Sequence, residues 1–362
     1  MRDKQDMDIK DVDMYDIKNK AGMILSRDVT TTDGVILFPC GARLNGVDTD
    51  LLIENGVERI YVKALSNVSN EITCLLEHNL DDDLYRFKKA YDGGREKARR
   101  HILDISRGAT VSMNELFSIT GDIMSELSCK SDVLKYIWLM EHSDEPTFAH
   151  SLNVSLLCNL FASWIKLSEE ETLYLTVAGI LHDVGKLRIP DAILNKTGKL
   201  TDKEYEIIKR HTLEGYDILR DVAIPEEIKA AALMHHEKID GSGYPSGLAN
   251  GSIVWLARII AIVDIFDAMT SNRAYRGKIC PFSVIKTFQN NVYGELDTEF
   301  LLVFLRNIAY TYVGSRVKLS DEREAEVIFI NQRDLSNPIV RTTDDDIVDL
   351  SAHRDLIVDS LI

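Results

Sequence analysis

The sequence predicts a mainly α protein: an all-helical central domain with a small β-rich module before it and a short β extension after it. Three observations lead there. The stretch from about 144 to 318 offers repeated helix-start signals and almost no strand pattern. The first 65 residues alternate apolar runs with turn residues, and the segment after 319 returns to short apolar runs between polar turns. A length of 362 residues suits two or three domains. The places where the pattern changes divide the chain into a β-rich module (1–65), a helical linker region (66–143), a catalytic-type helical domain (144–318) and a short β extension (319–362).

In order along the chain, GMILSRDVTTTDGVILFPCGARLN reads as strands with a hairpin signal at Asp33-Gly34, followed by a short helical patch, DTDLLIENGV, and a strand, ERIYVK. From about 78 the pattern is helical, with a break expected at Gly93-Gly94. Ser112 and Glu115 form a capping pair before Leu116, Ile119, Ile123 and Leu127, which share one helical face. These helices fit either a linker or a dimer contact, so a homodimer is one reading of them. In the central domain, Ser168 precedes three glutamates, Thr201 precedes Glu204 by three residues, and Pro225 precedes Glu226 and Glu227. Val254 to Met269 is nearly all apolar and reads as a buried helix. In the tail, EAEVIFINQ, NPIVRT and DIVDLS read as short strands.

Composition narrows the function classes. A net charge of −16 argues against DNA or RNA as a partner, because nucleic-acid binders carry a basic face; a small anionic ligand on bound metal ions is compatible with it. The charged opening, MRDKQDMDIKDVD, has no signal-peptide apolar region. Pro146 to Ile165 lacks formal charge but contains His150, Asn153 and Asn159, so a buried helix is expected there and not a membrane span. Five scattered cysteines without a CxxC pair suit free thiols in a reducing cytoplasm.

Chemistry concentrates in the helical domain. Five of the nine histidines fall there: His150, His182, His211, His235 and His236. Asp183 follows His182 directly, and Asp264 lies inside the apolar run IIAIVDIFDAM. A carboxylate in a buried helix is costly unless it is paired or binds a metal. A lone histidine on an apolar face is more often a core residue, but five histidines with two carboxylates make a donor set that suits first-row transition metals. Seven such donors would fill two octahedral sites if one carboxylate bridges and water completes the shells; two such ions about 3.5–4 Å apart could clamp both oxygens of a phosphate displacement. Neighbouring residues at a helix end point about 100° apart and can serve different ions. Gly185 and Gly241, just beyond the His182-Asp183 and His235-His236 pairs, would let the backbone come close to a ligand.

These residues carry a resemblance. HSLNV (150–154), LHDVGKLRIP (181–190), RHTLEGYDIL (210–219), HHEKIDGSGYP (235–245) and VDIFDAMTSNRAYR (263–276) resemble, in order, the motifs of the HD-GYP domain, a branch of the HD phosphohydrolase superfamily. The resemblance covers roughly 144–318 and implies a bacterial, cytoplasmic cyclic di-GMP phosphodiesterase holding two divalent transition-metal ions, iron or manganese. It implies His150, His182, Asp183, His211, His235, His236 and Asp264 as metal ligands, with Asp183 bridging and catalytic. It also implies Lys186 as a catalytic contact to the scissile phosphate or leaving oxygen. Gly243, Tyr244 and Pro245 are the residues for which such domains are named, with Gly243 and Tyr244 implied as substrate-binding and the loop also a candidate surface for a protein partner. Asp267, Arg273 and Arg276 match positions around the ligand. The implied reaction is attack of a metal-bridging hydroxide on a 3′,5′-phosphodiester, giving pGpG and then GMP. Lys238 stands where the family usually has Arg, which keeps the charge but loses the planar fork. Pro146 stands where some members with a third metal have Glu, with Glu145 one place earlier, which favours two metals. The alternatives are an HD hydrolase of another cyclic dinucleotide and a cyclic di-GMP sensor with little turnover. The N-terminal stretch is similar to a β-rich module often found ahead of HD-GYP domains.

Overall fold

The computed structural model describes residues 9–13, 24–25, 27, 29–30, 36–38, 52, 57, 59–63, 71–127, 129–140, 146–272, 277–291, 294–353 and 355–362. It separates into two compact units. One comprises Met1–Leu84, Ser128–Lys135 and Leu305–Ile362, and the other Tyr85–Leu127 and Tyr136–Phe304. The chain is mainly helical, as expected, and ends in an antiparallel sheet.

The helices in chain order are α1 (Glu71–Ser106), α2 (Met113–Ser125), α3 (Asp132–Leu139), α4 (Pro146–Trp164), α5 (Glu169–Leu181), α6 (Asp191–Leu194), α7 (Asp202–Lys209), α8 (His211–Leu219), α9 (Glu226–Met234), α10 (Trp255–Thr270), α11 (Pro281–Asn291) and α12 (Thr298–Thr311). The strands are β1 (Ile9–Asp13), β2 (Ile24–Leu25), β3 (Val29–Thr30), β4 (Ile36–Phe38), β5 (Arg59–Lys63), β6 (Arg316–Leu319), β7 (Glu324–Asn331), β8 (Asp334–Thr342), β9 (Ile347–Asp349) and β10 (Val358–Leu361).

In the helical unit, α4 is buried on nearly every side, with Leu152, Val154, Leu156, Leu157, Leu160 and Phe161 in the core. A helix without a solvent-facing stripe belongs at the centre of a bundle, and α4 packs against α5 and α10. The apolar stretch read as a buried helix is thus covered by its neighbours, and among the described residues no helix is long and apolar enough to cross a membrane. Phe161, Trp164, Phe266 and Phe304 meet edge to face or tilted at centroid distances of 5.3 to 6.1 Å, which locks α4 to α10.

The capping signals work as read. Ser168 Oγ accepts from the Glu171 amide at 3.3 Å while the Glu171 carboxylate accepts from the Ser168 amide at 2.9 Å. Thr201 and Glu204 repeat the arrangement at 3.3 and 2.7 Å. These caps satisfy amides that a helix start leaves open and fix where α5 and α7 begin, hence where their C-terminal ends deliver His182 and His211.

One expectation fails. The helix does not break at Gly93-Gly94: α1 runs through both. Gly93 is exposed, but a Cβ on Gly94 would stand 2.7 Å from Ile123 Cδ1, so that glycine serves the close approach of α1 to α2. A glycine lowers helix propensity by about 1 kcal/mol, which a long helix packed on a neighbour absorbs.

In the other unit, β1, β5 and β2 form an antiparallel sheet in that order, and β3 pairs with β4. The Asp33-Gly34 turn lies outside the described residues, although strands on either side of it are paired. The C-terminal sheet has the order β10-β6-β7-β8-β9, all antiparallel. Val317, Leu319, Ala325, Val327, Ile330, Leu335, Val340 and Val358 are among its buried side chains. The sequence reading missed β6 and β10, whose few residues carry too little alternation to stand out.

Candidate metal centre

Five helices deliver the seven donors. His150 lies in the first turns of α4 and Asp264 in the middle of α10, while His182 and Asp183 end α5, leading into a 3-10 turn, Val184–Arg188. His211 opens α8, and His235 and His236 follow α9. The donor atoms of His150, His182 and Asp264 lie within 4.8 Å of one another, as do those of His211, His235 and His236.

Asp183 stands between the two groups. Its Oδ2 is 3.5 Å from His150 Nε2 and 3.3 Å from His182 Nε2, and its Oδ1 is 3.4 Å from His211 Nε2 and 3.8 Å from His235 Nε2. The carboxylate is 2% exposed. Burial works against its charge, but the Lys186 ammonium, paired with Oδ2, outweighs it and holds the carboxyl well below the usual range. Asp264 is likewise held low against burial, by His150 first.

The tautomers are set from outside. His182, His211 and His235 each direct Nδ1 at the carbonyl three residues earlier, Gly179 at 2.8 Å, Ile208 at 2.7 Å and Ala232 at 2.9 Å. A carbonyl only accepts, so each Nδ1 carries the proton and each Nε2 presents a lone pair inward. Burial lowers the pKa of His211 and His235 and brings His236 down to about 3, which keeps these rings neutral.

That arrangement is unfavourable without a cation. The Nε2 atoms of His211 and His235 face each other at 3.2 Å, lone pair to lone pair. Among the described residues, His182 Nε2 and Asp183 Oδ1 are buried with no hydrogen-bond partner. His150 donates Nδ1–H to Asp267 at 2.7 Å, and its Nε2 looks at Asp264 Oδ1 at 2.9 Å. Burial opposes a charge on that ring, yet Asp264 and Asp267 raise its pKa to about 9, and its Nε2 is a further buried atom with no hydrogen-bond partner among the described residues. Buried polar atoms in folded proteins are normally paired; nitrogen and oxygen donors converging without partners fit divalent metal ions.

The turn that carries Asp183 is pressed against α8. A Cβ on Gly185 would lie 1.9 Å from the His211 carbonyl oxygen and 2.4 Å from the Gly215 amide nitrogen. The reading of this glycine as making room for a ligand is therefore corrected: it makes room for the backbone that presents His211.

The loop after His236 closes over its own helix end. A Cβ on Gly243 would meet the Lys238 amide nitrogen at 2.4 Å and Glu237 Cα at 2.5 Å, so only glycine passes there. Tyr244 then stacks on His236, with centroids 4.7 Å apart and planes 28° apart, and the Tyr244-Pro245 peptide is cis. Burial, with Tyr205 and the Asp183 and Asp264 carboxylates nearby, raises the Tyr244 pKa and keeps its hydroxyl protonated. Lys209 Nζ lies 5.7 Å from the Tyr244 centroid and 5.4 Å from that of Tyr205, which is 49% exposed. Lys238 Nζ reaches Glu295 at 2.6 Å, a single-point pair where an arginine would offer a fork.

Glu237 escaped the sequence reading, although it directly follows the two histidines. It is buried, and its two carboxylate oxygens accept from the backbone amides of Ser246 at 2.7 Å and Leu248 at 2.9 Å. Glu237→Gln keeps one acceptor and turns an amide donor on the other N–H. An unmet buried donor costs about 1–3 kcal/mol. Faster hydrogen exchange over 241–248 with unchanged metal content is the expected result; unchanged exchange would mean that the loop is held otherwise.

Asp267 is placed differently from its expected position around the ligand. It is buried with Oδ2 on His150 and Oδ1 on Asn153 Nδ2 at 2.9 Å, so it faces away from open space, behind a candidate metal ligand. Arg273, Arg276 and Glu145 lie outside the described residues.

Comparison with known proteins agrees with this geometry. A family model described as an HD domain matches residues 131–299. A cyclic di-GMP phosphodiesterase, PA4108 of Pseudomonas aeruginosa, is 32% identical over 251 residues, 68% of this chain and 60% of that protein. The 3′3′-cGAMP-specific phosphodiesterase 1 of Vibrio cholerae is 40% identical over 167 residues, 46% of this chain and 39% of its own length. The chain thus spans less than two thirds of the length of either relative. Among solved structures, Bd1817, an HDG"Y"P protein from Bdellovibrio bacteriovorus, shares the fold with a TM-score of 0.51 at 16% identity, over 82% of this chain and 98% of that one. Residues 131–299 of this chain thus match the HD domain family, and the histidine–aspartate cluster and the Gly-Tyr-Pro loop both lie within that span.

Proposed function

We propose that this protein is a metal-dependent phosphodiesterase that hydrolyses cyclic di-GMP to pGpG, GMP or both. The observation that carries the reading is Asp183, which turns one oxygen to His150 and His182 and the other to His211 and His235. His150, His182 and Asp264 would hold one divalent ion and His211, His235 and His236 the other, with Asp183 shared. The nitrogen and oxygen donors suit iron or manganese. When bound, such ions lower the pKa of water and neutralise charge on phosphoryl oxygens.

The chain's own residues supply the rest. The carbonyl-fixed tautomers keep lone pairs inward without reorganisation during turnover. Lys186, partly exposed beside Asp183, supplies an ammonium where negative charge accumulates on the phosphate. Tyr244 and Tyr205 offer aromatic faces beside Lys209, a setting suited to stacking a base. Gly243 lets the loop cross its own helix end; Arg273 and Arg276, outside the described residues, are further ligand contacts of this reading by their place in the motif. Residues 144–318 hold the catalytic residues of this reading, with 85–127 in the same compact unit as most of that span, a cytoplasmic setting, and the Gly-Tyr-Pro loop as a face open to a protein partner.

A second reading, hydrolysis of 3′3′-cGAMP, is favoured by the Vibrio relative of that specificity. Chromatography of products from both dinucleotides decides between them: a kcat/KM higher for cyclic di-GMP supports the first reading, and a preference for 3′3′-cGAMP replaces it. Tyr244→Ala and Tyr205→Ala should each raise KM roughly tenfold, the scale of one lost base stack, with metal content unchanged. Loss of metal in either variant would show that the tyrosines support the site structurally.

A further inference from the structure

A buried chain of hydrogen bonds connects α1 to the metal centre. Tyr91 on α1 is 4% exposed, and its hydroxyl donates to Asn153 Oδ1 at 2.6 Å. Asn153, one turn beyond His150 on α4, donates Nδ2–H to Asp267 Oδ1 at 2.9 Å. Asp267 Oδ2 accepts Nδ1–H of His150 at 2.7 Å, and Ser271 Oγ donates to Oδ1 at 3.1 Å. Asn153, Asp267 and His150 are all buried.

The directions along the chain are forced. A carboxylate only accepts, so the Asn153 amide must turn its NH2 toward Asp267. Its oxygen is then left pointing at α1, where a donor is needed. Tyr91 provides it. With a phenylalanine at 91, that oxygen would be buried without a partner and the amide would lose its anchor against rotation. A rotated amide would set its oxygen against the Asp267 carboxylate, whose other oxygen orients His150.

We propose that Tyr91, which lies outside the residues matched by the HD domain model, is a positioning residue for the metal ligand His150 and thereby couples α1 to the affinity of the His150, His182 and Asp264 group. The inference rests on the reading of that group as a metal site. Groups behind metal-bound histidines typically change metal affinity by about 10–100-fold. Neither the ring packing of Tyr91 on Phe87, centroids 5.8 Å apart, nor the helix would be disturbed by removing one hydroxyl.

The test titrates Mn2+ into the full-length chain stripped of metal, followed by the loss of the free Mn2+ resonance signal. Tyr91→Phe should weaken one of two bound ions about tenfold and leave the other unchanged, and Asn153→Asp, which removes the NH2 donor, should weaken the same ion at least as much. Phe87→Leu, which loosens the same aromatic cluster without touching the chain, should lower Tm and leave both affinities as they are. Two ions bound by Tyr91→Phe as tightly as by the natural chain would overturn the coupling while the functional reading stands. A natural chain that binds no Mn2+ would overturn both. An equal weakening in Phe87→Leu would reduce Tyr91 to a packing residue.

Discussion

Asp183→Asn is expected to remove bound metal and turnover together while leaving the helical fold intact. The substitution preserves size but replaces one of two inward oxygens by an NH2 and removes the charge. Both donor groups then lose their shared anion, which leaves the His211, His235 and His236 group without a carboxylate. Loss of a group that stabilises charge at a reacting centre lowers kcat by roughly 10²–10³-fold, and loss of the metals as well should exceed that. The fold should survive because Lys186, the cation left behind, keeps partial access to solvent: its side chain is 21% exposed. Elemental analysis and circular dichroism of the same sample check both halves. Retained turnover in a variant that has lost its metal would sink the two-metal reading.

The second large effect is expected from Gly185→Ala. The added carbon would meet backbone on the far side, the His211 carbonyl oxygen and the Gly215 amide, with no flexible side chain able to yield. The turn carrying Asp183 and Lys186 must then lift off α8, which also carries His211. Overpacking of this kind destabilises by about 1–3 kcal/mol and occasionally more, or roughly 2–4 °C in Tm per kcal/mol for a domain of this size. Metal content should fall with it, because the two donor groups separate as the turn moves. A variant with normal Tm and two metals would show that α8 and the turn tolerate separation.

Much of the helical domain is legible in the sequence because its signals are local. Ser168 and Glu171, or Thr201 and Glu204, sit three residues apart, and a cap needs nothing else. The apolar runs of α4 and α10 announce burial for the same reason. The seven donors are legible as types, since a carboxylate such as Asp264 in an apolar helix demands a partner. What local pattern does not carry is the shell behind them. Tyr91 is 62 residues from Asn153, and Asn153 is 114 residues from Asp267, so nothing in spacing predicts that they meet. Asp267 shares a motif with Asp264, and only the backbone of α10 decides that one carboxylate faces the cluster and the other supports His150 from behind. Gly94 and Gly185 were legible as glycines but not in purpose, because a close approach depends on an element that arrives from elsewhere in the chain.

The most direct test of the central claim, that Asp183 joins two metal sites, is the magnetic coupling between bound ions. The full-length chain, stripped and reloaded anaerobically with Mn2+, would be followed by electron paramagnetic resonance as the second equivalent binds. Two ions sharing one carboxylate should give a spin-coupled signal that grows with the second equivalent and disappears in Asp183→Asn. Two isolated-ion signals, or saturation at one ion per chain, would contradict the shared site.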